Sequence, residues 1–90
     1  MIARSVVIQN RLGIHARPAA LLVQEAGRFQ AEIYLSKGDV KRINAKSIMG
    51  VMMLAAEQGA EVTVETDGGD EQEALDALTE LLGRNFEDQI

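Results

Sequence analysis

Four short segments of the chain favour strands that bury one face only, and this pattern constrains the fold most. Residues 31–36 and 61–65 alternate cleanly between apolar and polar side chains. Residues 2–9 are rich in β-branched side chains, and residues 40–45 follow a Lys37-Gly38-Asp39 turn as the second arm of a hairpin. Strands with a single apolar face suit one antiparallel sheet that is covered on one side.

Three segments with helical spacing separate these strands. The first begins near Ala16 or Arg17, carries Pro18 in its first turn and stops at Gly27. The second runs from Ile48 to about Leu54, behind Ser47 as its N-cap.

The third helix carries an apolar stripe over residues 74–82 that ends at Gly83, and Asp70 followed by Glu73 resembles a capping box at its start. The element order β-α-β-β-α-β-α predicts an α+β fold. We expect an open-faced two-layer sandwich, with a four-stranded antiparallel sheet and three helices on one face.

Length and composition limit what such a chain can do. Ninety residues predict one domain over residues 1–90, whose chemistry lies at the surface rather than in a deep cleft. No signal peptide is evident, and the longest apolar run, residues 51–56, is too short to span a bilayer. We therefore expect a cytoplasmic protein without membrane insertion, with a loosely held tail over residues 85–90.

Charge and residue types exclude several kinds of site. The net charge is −5, and the chain from Glu57 onward carries eleven acidic residues against one basic residue, Arg84. A nucleic-acid-binding surface requires the opposite charge balance and aromatic side chains for stacking. The chain has one histidine, no cysteine and no suitably spaced carboxylates, so we expect no metal site. It also lacks a glycine-rich loop with the spacing that binds a nucleotide, so we expect no cofactor.

The one histidine, His15, lies at a predicted helix start between Gly13 and Ala16. A helix start presents unpaired backbone N–H groups and a positive dipole end, which together bind anions. Arg17 can bind two phosphate oxygens at once, and imidazole is a good nucleophile near neutral pH. The residues therefore make phosphoryl transfer chemically plausible, although an isolated histidine or arginine is more often a surface residue without a role.

Residues 13–19, Gly-Ile-His-Ala-Arg-Pro-Ala, resemble the phosphorylation-site motif of HPr, the phosphocarrier family of the bacterial phosphoenolpyruvate-dependent phosphotransferase system. Residues 44–52 resemble the regulatory serine region of the same family, and the length and element order match over nearly the whole chain. The resemblance implies that His15 accepts a phosphoryl group from enzyme I and passes it to enzyme IIA domains. Arg17 would stabilise the phosphate, and the phosphoryl group would be carried on Nδ1, although the residues alone leave both ring nitrogens open.

Ser47 and the helix that follows it are the second candidate region. The resemblance implies regulatory phosphorylation of Ser47 by an HPr kinase, in addition to its role as a helix cap. The short helix has no polar face, and a small domain cannot bury all of it, so we expect Ile48, Met49 and Met52 to form an exposed docking patch. Val51 and Leu54 are expected in the core.

The leading interpretation is a monomeric phosphocarrier that takes part stoichiometrically in sugar-transport phosphotransfer and is not an independent catalyst. An alternative is an HPr-like regulatory module, nitrogen-related or signalling through Ser47, without a role in sugar transport. His15 argues against a form that has lost histidyl phosphorylation. A plain interaction domain on a ferredoxin-like scaffold would leave both motifs unexplained.

Overall fold

A computed structural model describes residues 1–84 of the chain. Along the chain the elements are β1 (Ile2–Val7), α1 (Ala16–Ala26), β2 (Glu32–Lys37), β3 (Val40–Asn44), α2 (Ile48–Leu54), β4 (Glu61–Asp67) and α3 (Glu71–Leu82). The order β-α-β-β-α-β-α is the predicted one. The tail over residues 85–90, which the sequence predicts to be loosely held, lies outside the described residues.

The four strands form one antiparallel sheet in the order β1-β4-β2-β3. In the two central strands the alternating side chains Ile33, Leu35, Val62 and Val64 are buried on one face, as their period of two requires. This face carries the core, and the α+β open-faced fold is confirmed.

The apolar stripes of the helices complete that core. Leu22 and Ala26 of α1, Val51 and Leu54 of α2, and Leu78 and Leu82 of α3 are all buried in one cluster with the inner face of the sheet. On the uncovered face the Arg42 guanidinium lies 4.2 Å from the centre of the Tyr34 ring and 2.7 Å from a Glu65 carboxylate oxygen. Polar and charged side chains thus keep the outer face compatible with water.

The first strand is shorter than predicted, since it ends at Val7 rather than Gln9. The Ile8 N–H donates to the carbonyl of Ala60, and the Ile8 carbonyl accepts from the N–H of Gly59. Ile8 therefore stays buried, but it is held by the loop before β4 rather than by the strand ladder.

The predicted capping box at Asp70 is wrong. Asp70 is the N-cap residue of α3, but its side chain makes no capping hydrogen bond. Its carboxylate instead accepts the backbone N–H groups of Gln30 and Ala31, each at 2.9 Å. The hydrogen bond from the Gln30 N–H is the main cause that lowers the pKa of Asp70, and the bond from the Ala31 N–H adds to it. Desolvation acts in the opposite direction. Asp70 therefore ties the start of α3 to the segment before β2.

Within residues 1–84 no helix is long and apolar enough to cross a membrane.

Candidate functional site

His15 is the N-cap residue of α1, with extended backbone angles, and its half-buried side chain makes no capping hydrogen bond. Arg17 lies two residues further on, and its side chain is exposed. Among the described residues neither the imidazole nor this guanidinium has a hydrogen-bond or ion-pair partner. Both groups are therefore available to a ligand at the surface.

The start of α1 supplies backbone donors beside the imidazole. The first helical hydrogen bond runs from the Ala19 N–H to the His15 carbonyl at 2.9 Å. The N–H groups of Ala16 and Arg17 precede it and have no carbonyl partner inside the helix, while Pro18 contributes no N–H. Pro18 is buried, and its ring fixes φ in the first turn of the helix. Two N–H groups and the dipole of an eleven-residue helix favour an anion here.

The loop that carries His15 lies very close to the segment after α2. Gly13 has φ +70°, and the Ile14 N–H donates to the carbonyl of Ala56 at 2.8 Å. A Cβ atom on Gly13 would lie 2.4 Å from the same carbonyl oxygen. Only glycine fits this position, because both the positive φ and the close approach exclude a side chain.

A buried asparagine holds the same loop from inside. Asn10 is fully buried, and its Nδ2 donates to the Gly13 carbonyl at 2.8 Å. The Gly13 N–H donates in turn to the Asn10 carbonyl at 2.9 Å. Asn10 was not among the predicted site residues, so this positioning role was missed. Asparagine shortly before a glycine was the available signal, but it does not reveal the burial.

The segment that receives the His15 loop is itself anchored. Ala55, with φ +51°, ends α2, and its carbonyl accepts from Lys37 Nζ at 2.9 Å. The same ammonium lies 3.1 Å from a Glu57 carboxylate oxygen. Contacts with the end of β2 thus fix the segment on which Ile14 rests.

At the other end of α2, the predicted cap at Ser47 is confirmed. The Ser47 Oγ accepts the N–H of Gly50 at 3.2 Å, and Val51 and Leu54 point into the core. Seven residues at about 1.5 Å each span about 10 Å. Arg17 stands two residues after His15 at the start of α1, whereas Ser47 begins α2, at the end of that helix away from the segment that receives the His15 loop.

Between these two ends, α2 exposes a run of apolar side chains. We call the exposed side chains of Ile48, Met49, Met52 and Met53 the α2 surface; they are 42%, 73%, 42% and 67% exposed. Leu12, in the loop before His15, is also exposed. Met53 and Leu12 were not among the predicted docking residues, and the spacing along α2 could have indicated Met53.

Among residues 1–84 no group of three or more His, Asp or Glu side chains is arranged to hold a metal ion.

Comparison with known proteins places this chain among phosphocarriers. The family model described as PTS HPr component phosphorylation site matches residues 2–84. The phosphocarrier protein HPr of Cupriavidus necator is 52% identical over 86 residues, which cover 96% of each chain. The crystal structure of an HPr from Bacillus anthracis matches with a TM-score of 0.84 and 48% identity, over 90% of this chain and 95% of the other.

A related protein that forms a dimer is also similar. Crh of Bacillus subtilis, described as a catabolite repression protein, is 47% identical, and its crystal structure is a dimer with a swapped domain. That structure matches with a TM-score of 0.75 over 94% of this chain and 97% of the other.

Proposed function

The chain belongs to the HPr family of phosphocarrier proteins, and from this premise we propose that His15 accepts a phosphoryl group from phosphorylated enzyme I and passes it to an enzyme IIA domain. The observation that carries the proposal is the half-buried imidazole without a partner, held at the start of α1. We further propose that the protein acts in the cytoplasm, where it would shuttle between these partners.

The chemistry requires one ring nitrogen of His15 as the nucleophile. It attacks the phosphorus carried by the donor, a nitrogen–phosphorus bond forms, and the bond to the donor breaks. An acceptor then attacks the same phosphorus, the nitrogen–phosphorus bond breaks, and His15 is regenerated, so the protein takes part stoichiometrically and carries one phosphoryl group in each cycle. We assign the phosphoryl group to Nδ1 from the resemblance to the family.

Charge stabilisation comes from two sources in this chain. The unpaired N–H groups at the start of α1 face an anion attached to the N-cap residue. The Arg17 guanidinium, exposed and without an ion-pair partner among residues 1–84, can bind two phosphate oxygens. Phosphoryl transfer depends mainly on positioning and charge stabilisation, and the partner would supply the remaining groups.

The partner would dock on the α2 surface. Met52 and Met53 lie in the last turn of α2, next to the segment on which the His15 loop rests, and Ile48 and Met49 extend the exposed surface toward Ser47. A protein that covers the α2 surface would therefore lie beside the loop that carries His15. Methionine side chains adapt to differently shaped partners. This property suits a carrier that must bind a donor and several acceptors in turn.

Regulation would act at Ser47 through phosphorylation by an HPr kinase. Its Oγ faces the N–H of Gly50, and a phosphate there would offer oxygens to the same helix start. The modification therefore need not unfold α2, but it places a charge directly beside Ile48.

A second candidate function is supported by the similarity to Crh. In that alternative the protein is mainly a regulatory partner-binding module that signals through Ser47. We favour the carrier because His15 and Arg17 lie together at one helix start. We expect a monomer as the active form, and the domain-swapped dimer of Crh makes light scattering across protein concentrations the necessary check.

The test is phosphorylation in two separate reactions. One contains phosphoenolpyruvate and enzyme I, and the other contains ATP and an HPr kinase. Mass spectrometry locates the phosphate, and acid lability separates phosphohistidine from phosphoserine. Acid-labile phosphate on His15 that an enzyme IIA domain can remove supports the carrier; phosphate on Ser47 alone supports the regulatory module.

A further inference from the structure

Three of the four methionines of the chain lie in one seven-residue helix, and all three are exposed. Met49, Met52 and Met53 are three and four residues apart, so they form a continuous thioether surface. Val51 and Leu54, which anchor α2 in the core, are at most 1% exposed. The helix therefore separates oxidisable sulfur, which faces solvent, from the side chains that hold it in place.

We propose that Met49, Met52 and Met53 form an oxidant-sensitive element, and that their conversion to sulfoxides reversibly uncouples the protein from its docking partners. The inference rests on the proposed function, because its consequence is read through partner docking. It adds a modification site at residues whose only proposed role is apolar contact.

The chemical step is oxygen transfer from a peroxide. The thioether sulfur attacks one peroxide oxygen, the O–O bond breaks, and a sulfur–oxygen bond forms. Hydrogen peroxide is reduced to water while the sulfur loses two electrons. A methionine sulfoxide reductase reverses the change with a dithiol, which becomes a disulfide as the oxygen leaves in water.

The exposed fractions predict the order of reaction. Met49 and Met53, at 73% and 67%, should react before Met52, at 42%. Met1, at 65%, is an internal standard of nearly the same exposure as Met53, but it precedes β1 and is not part of α2. Its oxidation reports the chemistry without touching the α2 surface.

Oxidation should affect docking and leave the fold unchanged. A sulfoxide oxygen is a strong hydrogen-bond acceptor, and a partner that covers it without a donor loses the water that satisfied it. Because the anchoring residues of α2 carry no sulfur, the thermal midpoint should hardly change. A carrier damaged in its core would instead lose both docking and stability.

The experiment treats the full chain with hydrogen peroxide and maps each sulfoxide by peptide mass spectrometry. Phosphorylation of His15 by enzyme I is then measured over a range of carrier concentrations, before and after oxidation and after reductase repair. The matched control is the triple variant Met49→Leu/Met52→Leu/Met53→Leu, which keeps the apolar volume and helix propensity but cannot be oxidised on α2.

We expect oxidation to raise the half-saturating concentration of the wild type about ten-fold, as one unsatisfied polar group at an interface can. Repair should restore it, and the triple variant should not respond to peroxide. Three outcomes would overturn the inference. The triple variant could show the same rise in half-saturating concentration after peroxide, or peroxide could oxidise Met1 but none of the methionines of α2. Full oxidation of these methionines without a change in the half-saturating concentration would be the third. Failure of the untreated wild type to accept phosphate would instead refute the proposed function, and the inference with it.

Discussion

Replacing Gly13 by alanine tests how the His15 loop is held. The new Cβ atom would lie 2.4 Å from the Ala56 carbonyl oxygen and 2.9 Å from the Glu57 Cα, and both are backbone atoms that no rotamer change can move. Gly38→Ala is the matched control, because Gly38 has a similar positive φ of +56° with no atom within 4 Å of a Cβ position. The two variants therefore share the backbone strain and differ in the contact.

The expected cost follows from these two terms. An alanine at positive φ costs about 1–2 kcal/mol, part of which is offset by about 0.4–1 kcal/mol from the stiffer unfolded chain. Gly38→Ala should thus lower the free energy of unfolding by about 1 kcal/mol. Gly13→Ala adds an overpacking term of about 1–3 kcal/mol, and relief of the clash requires lengthening the Ile14–Ala56 hydrogen bond. Its total cost should be about 3 kcal/mol.

Urea-induced unfolding followed by far-ultraviolet circular dichroism measures both free energies. Phosphorylation by enzyme I measures the effect on His15, where a displaced loop should slow transfer about ten-fold or more. Gly38→Ala should transfer at the wild-type rate. Equal losses of stability in the two variants would show that the approach of Gly13 to Ala56 does not hold the loop.

The other predictions address the site residues and one structural carboxylate. His15→Ala should abolish acid-labile phosphorylation from phosphoenolpyruvate and enzyme I at an unchanged urea midpoint; any acid-labile phosphate left would contradict the central assignment. Arg17→Ala should slow phosphoryl transfer about 10²–10³-fold. Arg17→Lys should recover only part of the rate, because an ammonium cannot bind two phosphate oxygens as a guanidinium does. Equal rates for all three proteins would make Arg17 an ordinary surface residue. Ser47→Asp should raise the half-saturating concentration for enzyme I at a similar maximal rate, while stability holds or rises by about 0.5 kcal/mol; an unchanged half-saturating concentration would reduce Ser47 to a helix cap. The pKa of Asp70 is lowered from 3.8 in the folded protein, so the stabilisation by its charge is present above that pH and is lost as the pH falls through the native pKa. The difference in urea midpoint between wild type and Asp70→Asn should therefore shrink from neutral pH to about pH 3. A difference that stays constant over this range would refute the contribution of the charge.

Local pattern was sufficient to predict the elements of this fold. The period of two in residues 61–65 follows directly from burial of Val62 and Val64 on one side of the sheet. Ser47 could be predicted as a cap because its oxygen binds a backbone N–H only three residues away. Signals of this kind lie within one turn or one strand, so they are visible in the sequence.

Contacts between distant segments could not be predicted in the same way. Asp70 has the residue type of a helix cap, yet its carboxylate binds Gln30 and Ala31, about forty residues earlier. The requirement for glycine at position 13 depends on Ala56, which only the folded chain brings close. The sequence motif therefore locates His15, whereas tertiary contacts decide how its loop is held.

The position of α2 determines how a phosphate at Ser47 can act under the proposed function. Ser47 begins the helix, and the Ala56 carbonyl that receives the Ile14 N–H lies beyond its other end. Val51 and Leu54 fix the helix between them, so added charge at Ser47 has no loose element through which to displace the His15 loop. The charge does adjoin Ile48, which a docked partner would cover. Interference should therefore appear only with partners that cover the α2 surface, and small phosphoryl donors that reach His15 without docking should react equally with wild type and Ser47→Asp.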